Sequence, residues 1–349
     1  MGSPLSFAGI GKRYGDVAAL SDFSLDVAAG EFVTFLGPSG SGKTTALNIL
    51  AGFIDPTEGE VAIDGVPITR LPSEKRNIGM VFQSYSLFPH MNVRDNVGFP
   101  LRMRGVARAR RDHLAEAALA MVRLEGFGDR KPHELSGGQR QRVAFARAVV
   151  FEPQVLLMDE PLGALDLKLR EAMQDEIRQV QRRIGCTVIY VTHDQGEALA
   201  MSDRIVVMSG GRIAQVGTPA AIYDEPQNTF VARFVGETNL LPASVVEGEL
   251  RLGSKVFAMP VGGPGAGWQG SVALRPEHFA RATAAGGQAI SCTILDVAFH
   301  GGSFRYVAES PEFGRLIFQE QRGQGHEPLA PGQATALGFS MDKAVFLNG

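Results

Sequence analysis

The chain has 349 residues, with 34 Lys+Arg, 37 Asp+Glu and 44% hydrophobic side chains. That length calls for two domains, and the composition is too apolar and too evenly charged for a disordered protein. The formal charge of -3 excludes a whole-molecule field that would draw the protein onto nucleic acid or anionic lipid.

No apolar run approaches the roughly 20 residues of a spanning helix, and the start, Met1-Gly2-Ser3-Pro4-Leu5-Ser6, lacks a secretory pattern. Cys186 and Cys292 stand far apart, so a reducing cytoplasm is the expected setting.

From Phe7 to about Gly236, β-rich apolar runs alternate with helical periodicity, which predicts an α/β fold around a mostly parallel sheet. Phe32 to Leu36 is the first clear buried strand. It leads into Gly37-Pro38-Ser39-Gly40-Ser41-Gly42-Lys43-Thr44, and a helix is predicted from Thr45 to Leu50. This is a phosphate-binding loop in its required context. Its glycines let backbone N–H groups turn onto phosphates, and the following helix directs its positive end at them. Lys43 is expected to span the β and γ phosphate groups, and the Thr44 hydroxyl to hold Mg²⁺.

A hairpin is predicted over Glu60 to Ile68, turning at Asp64-Gly65. Gln83-Ser84-Tyr85-Ser86-Leu87-Phe88-Pro89-His90 then reads as a loop leading into a helical segment. The basic cluster Arg102, Arg104, Arg108, Arg110 and Arg111 has no aromatic interleaving; with Asp112, Leu114, Glu116 and Leu119 it reads as an amphipathic helix with a solvated face, not a nucleic-acid surface. Ser136, Gly137 and Gly138 bring a hydroxyl and close backbone N–H groups to a helix start, a second anion site.

Val155 to Met158 is the next buried strand, and Asp159 emerges at its end, where it can orient Mg²⁺. Adjacent residues of an extended strand point apart, so Glu160 is expected to face the attacking water as general base. Leu169, Met173, Ile177, Val180 and Ile184 form one apolar helix face ending at Gly185. A third strand, Val188 to Thr192, precedes His193, and a second hairpin spans Ile205 to Val216 around Gly210-Gly211. After Gly236-Glu237-Thr238-Asn239 short strands alternate with glycines, predicting a small all-β domain.

Leu135-Ser136-Gly137-Gly138-Gln139 resembles the signature of the ATP-binding cassette (ABC) ATPases. Tyr14, Gln83, Ala164-Leu165-Asp166 and His193 stand in the same family order. The resemblance implies a P-loop NTPase domain over 1–239, with a helical subdomain at about 84–150 carrying the signature. It implies that Tyr14 stacks on adenine, that Gln83 serves catalysis and Mg²⁺, and that His193 senses the triphosphate. ATP held by Gly37 to Thr45 of one chain would be closed over by Ser136 to Gln139 and the Asp166 loop of another, so a homodimer is implied.

Thr238-Asn239-Leu240-Leu241 and Arg275-Pro276-Glu277 resemble the oligonucleotide-fold (TOBE-like) regulatory domain of bacterial solute-importer ATPases, here over 240–349. Phe234 to Asn239 looks most like the polyamine type. The implied partners are membrane permease subunits and an extracytoplasmic solute-binding protein, with the chain peripheral on the cytoplasmic face of the inner membrane and no nucleic acid involved. The alternatives are an importer of ferric iron, sugar, sulfate or phosphonate, and a soluble ABC ATPase acting on nucleic acid or the ribosome.

Overall fold

The computed structural model describes residues 2–163, 165–282, 289–323 and 327–348. Ala164 of the expected Ala164-Leu165-Asp166 loop lies outside them. Two compact units meet in sequence between Ala220 and Ala221. This is ahead of the 239/240 boundary expected from composition, because the intervening segment is bonded into the second unit: buried Arg275 donates to the carbonyls of Tyr223, Ala232, Val235 and Glu237.

The first unit begins with β1 (Leu5–Tyr14), β2 (Val17–Val27), β3 (Phe32–Leu36), α1 (Lys43–Ala51), β4 (Glu58–Ile63), β5 (Val66–Pro67) and β6 (Ile78–Val81). Helices α2 (Val93–Met103), α3 (Arg108–Met121) and α4 (Gly137–Val149) follow. The chain then alternates: β7 (Val155–Asp159), α5 (Leu167–Ile184), β8 (Thr187–Thr192), α6 (Gln195–Met201), β9 (Arg204–Ser209) and β10 (Arg212–Gly217). An antiparallel sheet has the order β2-β1-β4-β5, and a six-stranded sheet the order β10-β9-β3-β8-β7-β6. Within the latter, β9-β3-β8-β7-β6 pair in parallel.

The apolar runs are continuous because those strands are covered on both faces. Phe32, Leu156, Met158, Val188 and Tyr190 enter a core shared with α2 to α5. Their neighbours Val33, Phe35, Val155, Leu157, Ile189 and Val191 enter a second core with α1 and the antiparallel sheet, where Phe7, Phe23 and Phe35 pack ring to ring. Both hairpin turns use left-handed backbone, at Asp64-Gly65 and Gly210-Gly211.

In the second unit, two five-stranded sheets are antiparallel throughout their described pairings. Their inner faces share one core that includes stacked Tyr306 and Phe318.

Candidate active site

Parallel strands β3, β8, β7 and β6 end along one edge of the six-stranded sheet, the edge at which open α/β sheets bind ligands. They deliver, respectively, the Gly37–Thr44 loop, His193, the Asp159-Glu160 pair and Gln83. Helix α1 begins at Lys43, two residues before the predicted start, so Thr44 and Thr45 lie in its first turn. Pro38, Ser39 and Gly40 are exposed at the loop tip, while Gly37 and Ser41 are buried. Gly42 has φ 99° and lies against β2: a Cβ there would stand 2.7 Å from the Ala19 carbonyl oxygen.

The Lys43 ammonium donates to the carbonyls of Gly37 at 2.7 Å and Pro38 at 2.9 Å. Burial holds its pKa below the ordinary lysine range, while Glu160 and Asp159 pull it back up. Thr44 Oγ1 faces Asp159 Oδ1 at 3.4 Å. Burial, and next the charge of Glu160, raise the Asp159 carboxyl, while the Thr44 hydroxyl and Lys43 pull it back down. One hydroxyl and one carboxylate suit a hard cation such as Mg²⁺. Among the described residues no group of three or more His, Cys, Asp or Glu would hold a metal, so phosphates and water would have to complete the shell.

Glu160 corrects one expectation. It lies just past β7 with φ 44°, a left-handed conformation rare for glutamate, and its amide donates to the Val191 carbonyl at 2.9 Å. The divergence of the two carboxylates therefore comes from a backbone turn and not from strand alternation. That turn sets Glu160 Oε1 3.0 Å from His193 Nδ1, and Gln83 Nε2 donates to Oε2 at 3.3 Å. Lys43, Thr44, Asp159, Glu160, Gln83 and His193 are thus brought together.

Other expected residues stand apart, and among the described residues no direct hydrogen bond joins them to this cluster. Tyr14, at the end of β1, is 52% exposed with Lys12 over its ring. Ser136 caps α4 in a reciprocal box, with its Oγ taking the Gln139 amide and Gln139 Oε1 taking the Ser136 amide. The amides of Gly137 and Gly138 open the helix, where no intrahelical acceptor exists. Asp166 caps α5 by accepting from the Leu169 amide.

Sequence reasoning missed three side chains around the site. Arg147, on α4, donates to the carbonyls of Tyr85 and Ser86, both left-handed, and so ties the signature helix to the loop after Gln83. Arg170 and Glu197 flank the His193 loop. The only sequence signal was Asp194-x-x-Glu197, which reads as a capping box.

Residues 20–163 match the ABC transporter family profile, and residues 272–347 match the TOBE domain profile. The spermidine/putrescine import ATP-binding protein PotA of Rubrobacter xylanophilus is 46% identical over 347 residues, covering 97% of this chain and 92% of that protein. The Fe(3+) ions import ATP-binding protein FbpC of Rhizobium etli is 44% identical over 349 residues, covering 99% of this chain and 98% of that protein. Among solved structures, the dimeric ATP-binding cassette MJ0796 in a post-hydrolysis state, bound to ADP and Pi, matches with a TM-score of 0.56 and 36% identity, over 62% of this chain and 98% of its own.

Proposed function

The chain belongs to the ABC transporter ATP-binding family, and from that premise we propose that it is the ATP-hydrolysing, energy-coupling subunit of a bacterial importer, acting as a homodimer on a separate membrane permease. The observation that carries the reading is the convergence of Lys43, Thr44, Asp159, Glu160 and His193 on one sheet edge.

Lys43, whose ammonium donates to the carbonyls of its own loop, would exchange those acceptors for oxygens of the β- and γ-phosphates. Thr44, Asp159 and Gln83 would hold Mg²⁺, which when bound neutralises phosphate charge. Glu160 accepts a proton from the water that attacks the γ-phosphorus; the bond to the ADP oxygen breaks and phosphate leaves. His193 holds the Glu160 carboxylate in place and faces the γ-phosphate, and Tyr14 offers its exposed ring to adenine. The open amides of Gly137 and Gly138, with the Ser136 hydroxyl and Gln139 at the same helix start and the Asp166 loop beside them, close over nucleotide bound by the other copy.

A groove of about 550 Å³, lined in part by Ser86, Phe88, Phe99, Met103 and Arg147, adjoins the loop after Gln83 and is assigned to the permease. Among the described residues no helix is long and apolar enough to cross a membrane; the likeness to import ATP-binding subunits is what supports a peripheral place at the cytoplasmic face, with an extracytoplasmic protein supplying solute. The cargo is a polyamine, on the likeness to the spermidine/putrescine import subunit; the near-equal likeness to the ferric-ion subunit supports Fe³⁺ as the second reading.

Glu160→Gln is expected to lower phosphate release by about 10³-fold while retaining ATP binding, and to give a dimer with ATP in light scattering. Parental turnover would remove Glu160 as base, and a strictly monomeric chain would remove the homodimer. Uptake of labelled putrescine by cells expressing the chain with its permease checks the cargo; uptake of Fe³⁺ alone would move it to the second reading.

A further inference from the structure

The backbone on both sides of His193 hangs from a small charged network. Thr192 Oγ1 donates to Glu197 Oε2 at 2.8 Å and accepts from the Asp194 amide at 3.0 Å. Tyr190 donates its hydroxyl to the same Glu197 oxygen at 2.7 Å. Asp194 Oδ1 accepts the Glu197 amide at 3.0 Å, and Asp194 Oδ2 accepts from Arg170 Nη1 at 3.0 Å. Arg170 lies on α5, and its Nη2 donates at 3.2 Å to the carbonyl of Leu165, the residue before Asp166.

One guanidinium therefore spans the Asp166 and His193 loops. Glu197 is only 3% exposed, and Arg170 Nε stands 3.8 Å from its Oε1 with no hydrogen bond of its own. A buried carboxylate facing an arginine is weak evidence for stability, since a packed apolar pair often serves as well. At 3.8 Å the pair is not closed by a hydrogen bond, and the guanidinium's own bonds go to Asp194 on one loop and to the Leu165 carbonyl on the other.

We propose that Arg170 and Glu197 are positioning residues that couple the Asp166 loop to the His193 loop, so that seating Asp166 against a second copy sets the imidazole for ATP cleavage. The proposal rests on the homodimer reading above. Neither residue touches the reacting groups, so the coupling acts on turnover rather than on nucleotide binding.

The test is steady-state ATPase kinetics of the full chain. Arg170→Ala is expected to lower kcat by about tenfold or more, with KM for ATP held within about twofold. Asp166→Ala should show a similar loss, and the double variant should lose no more than the worse single variant. Losses that multiply, or an unchanged kcat in folded Arg170→Ala, overturn the coupling. If Arg170→Ala melts below the assay temperature, Glu197→Gln replaces it in the same cycle, because it keeps the volume and an acceptor for Tyr190 and Thr192 while removing the charge that faces Arg170. Light scattering of Glu160→Gln with ATP separates the two readings. A chain that stays monomeric overturns the homodimer and the coupling with it, whereas a dimer with multiplying losses overturns the coupling alone.

Discussion

Two helices of the first unit start on glycine-containing turns, and their surroundings differ. Helix α1 begins at Lys43 after Gly42, an N-cap with no side chain to close it, and Lys43, Asp159, Glu160 and His193 are gathered there. Helix α4 begins at Gly137, with Ser136 as its N-cap in a closed capping box. A Cβ on Gly138 would meet the Leu169 side chain at 2.7 Å, whereas Gly137 faces open space. On the proposed reading, the first cradle binds phosphate and acts on it, and the second only binds. A fold that keeps these two halves apart on one chain makes sense when each completes the other on a second copy.

Among tests of this contrast, the largest effect should come from loading the second cradle with charge. In Gly137→Glu the new Cβ meets no atom within 4 Å, and a carboxylate in the first turn favours the helix dipole, so melting should be unchanged or slightly raised. Phosphate release should nonetheless fall by about 10²-fold or more, since the carboxylate repels the phosphates those amides would receive. Lys43→Ala should be equally inactive because it loses nucleotide binding. Mixing the two variants should restore part of the activity, as each mixed dimer contains one intact pair of cradles. A mixture that stays inactive would break the complementarity.

Titration should sharpen the contrast, because only the first cradle carries a titratable lysine. Burial lowers the Lys43 pKa, so as pH rises through that lowered value the free protein loses the charge that phosphates seek. ATP affinity of Gly137→Glu, whose first cradle is intact, should therefore weaken on the alkaline side, by at most about tenfold per pH unit. Equilibrium binding of a fluorescent ATP analogue would read this. A flat alkaline profile would place the Lys43 charge outside the binding step.

Most of the first cradle was legible because its parts are local. A five-residue apolar run, then glycines, then Lys43-Thr44 encode strand, loop and helix start with no help from distant residues. The left-handed Glu160 was not legible, since alternation along β7 is the expectation for any residue that does not need φ above zero, and the Val191 carbonyl that fixes it comes from another strand. Glu197 shows tertiary contact overriding a local motif. Asp194-x-x-Glu197 reads as a capping box, but the Glu197 carboxylate turns inward to Tyr190 and Thr192. The early boundary was hidden for the same reason, because Arg275 gathers the carbonyls of Tyr223, Ala232, Val235 and Glu237 from across a long sequence gap.

The smallest effect, and the one that best divides structure from chemistry, concerns Ser136. Its hydroxyl accepts the Gln139 amide at 3.3 Å, and loss of such a cap costs about 1 kcal/mol. Ser136→Ala should therefore lower urea-unfolding stability by about that amount while leaving α4 in place, because Val143, Ala144 and Phe145 anchor it in the core. Thr can cap as Ser does, so Ser136→Thr should keep the stability. If the hydroxyl only caps, ATPase activity should follow stability, and the Thr variant should match the parent in both. If it also meets a phosphate across the dimer, Ser136→Ala should lose several-fold more turnover than about 1 kcal/mol of helix stability explains. The second cradle would then contribute a side chain as well as its amides.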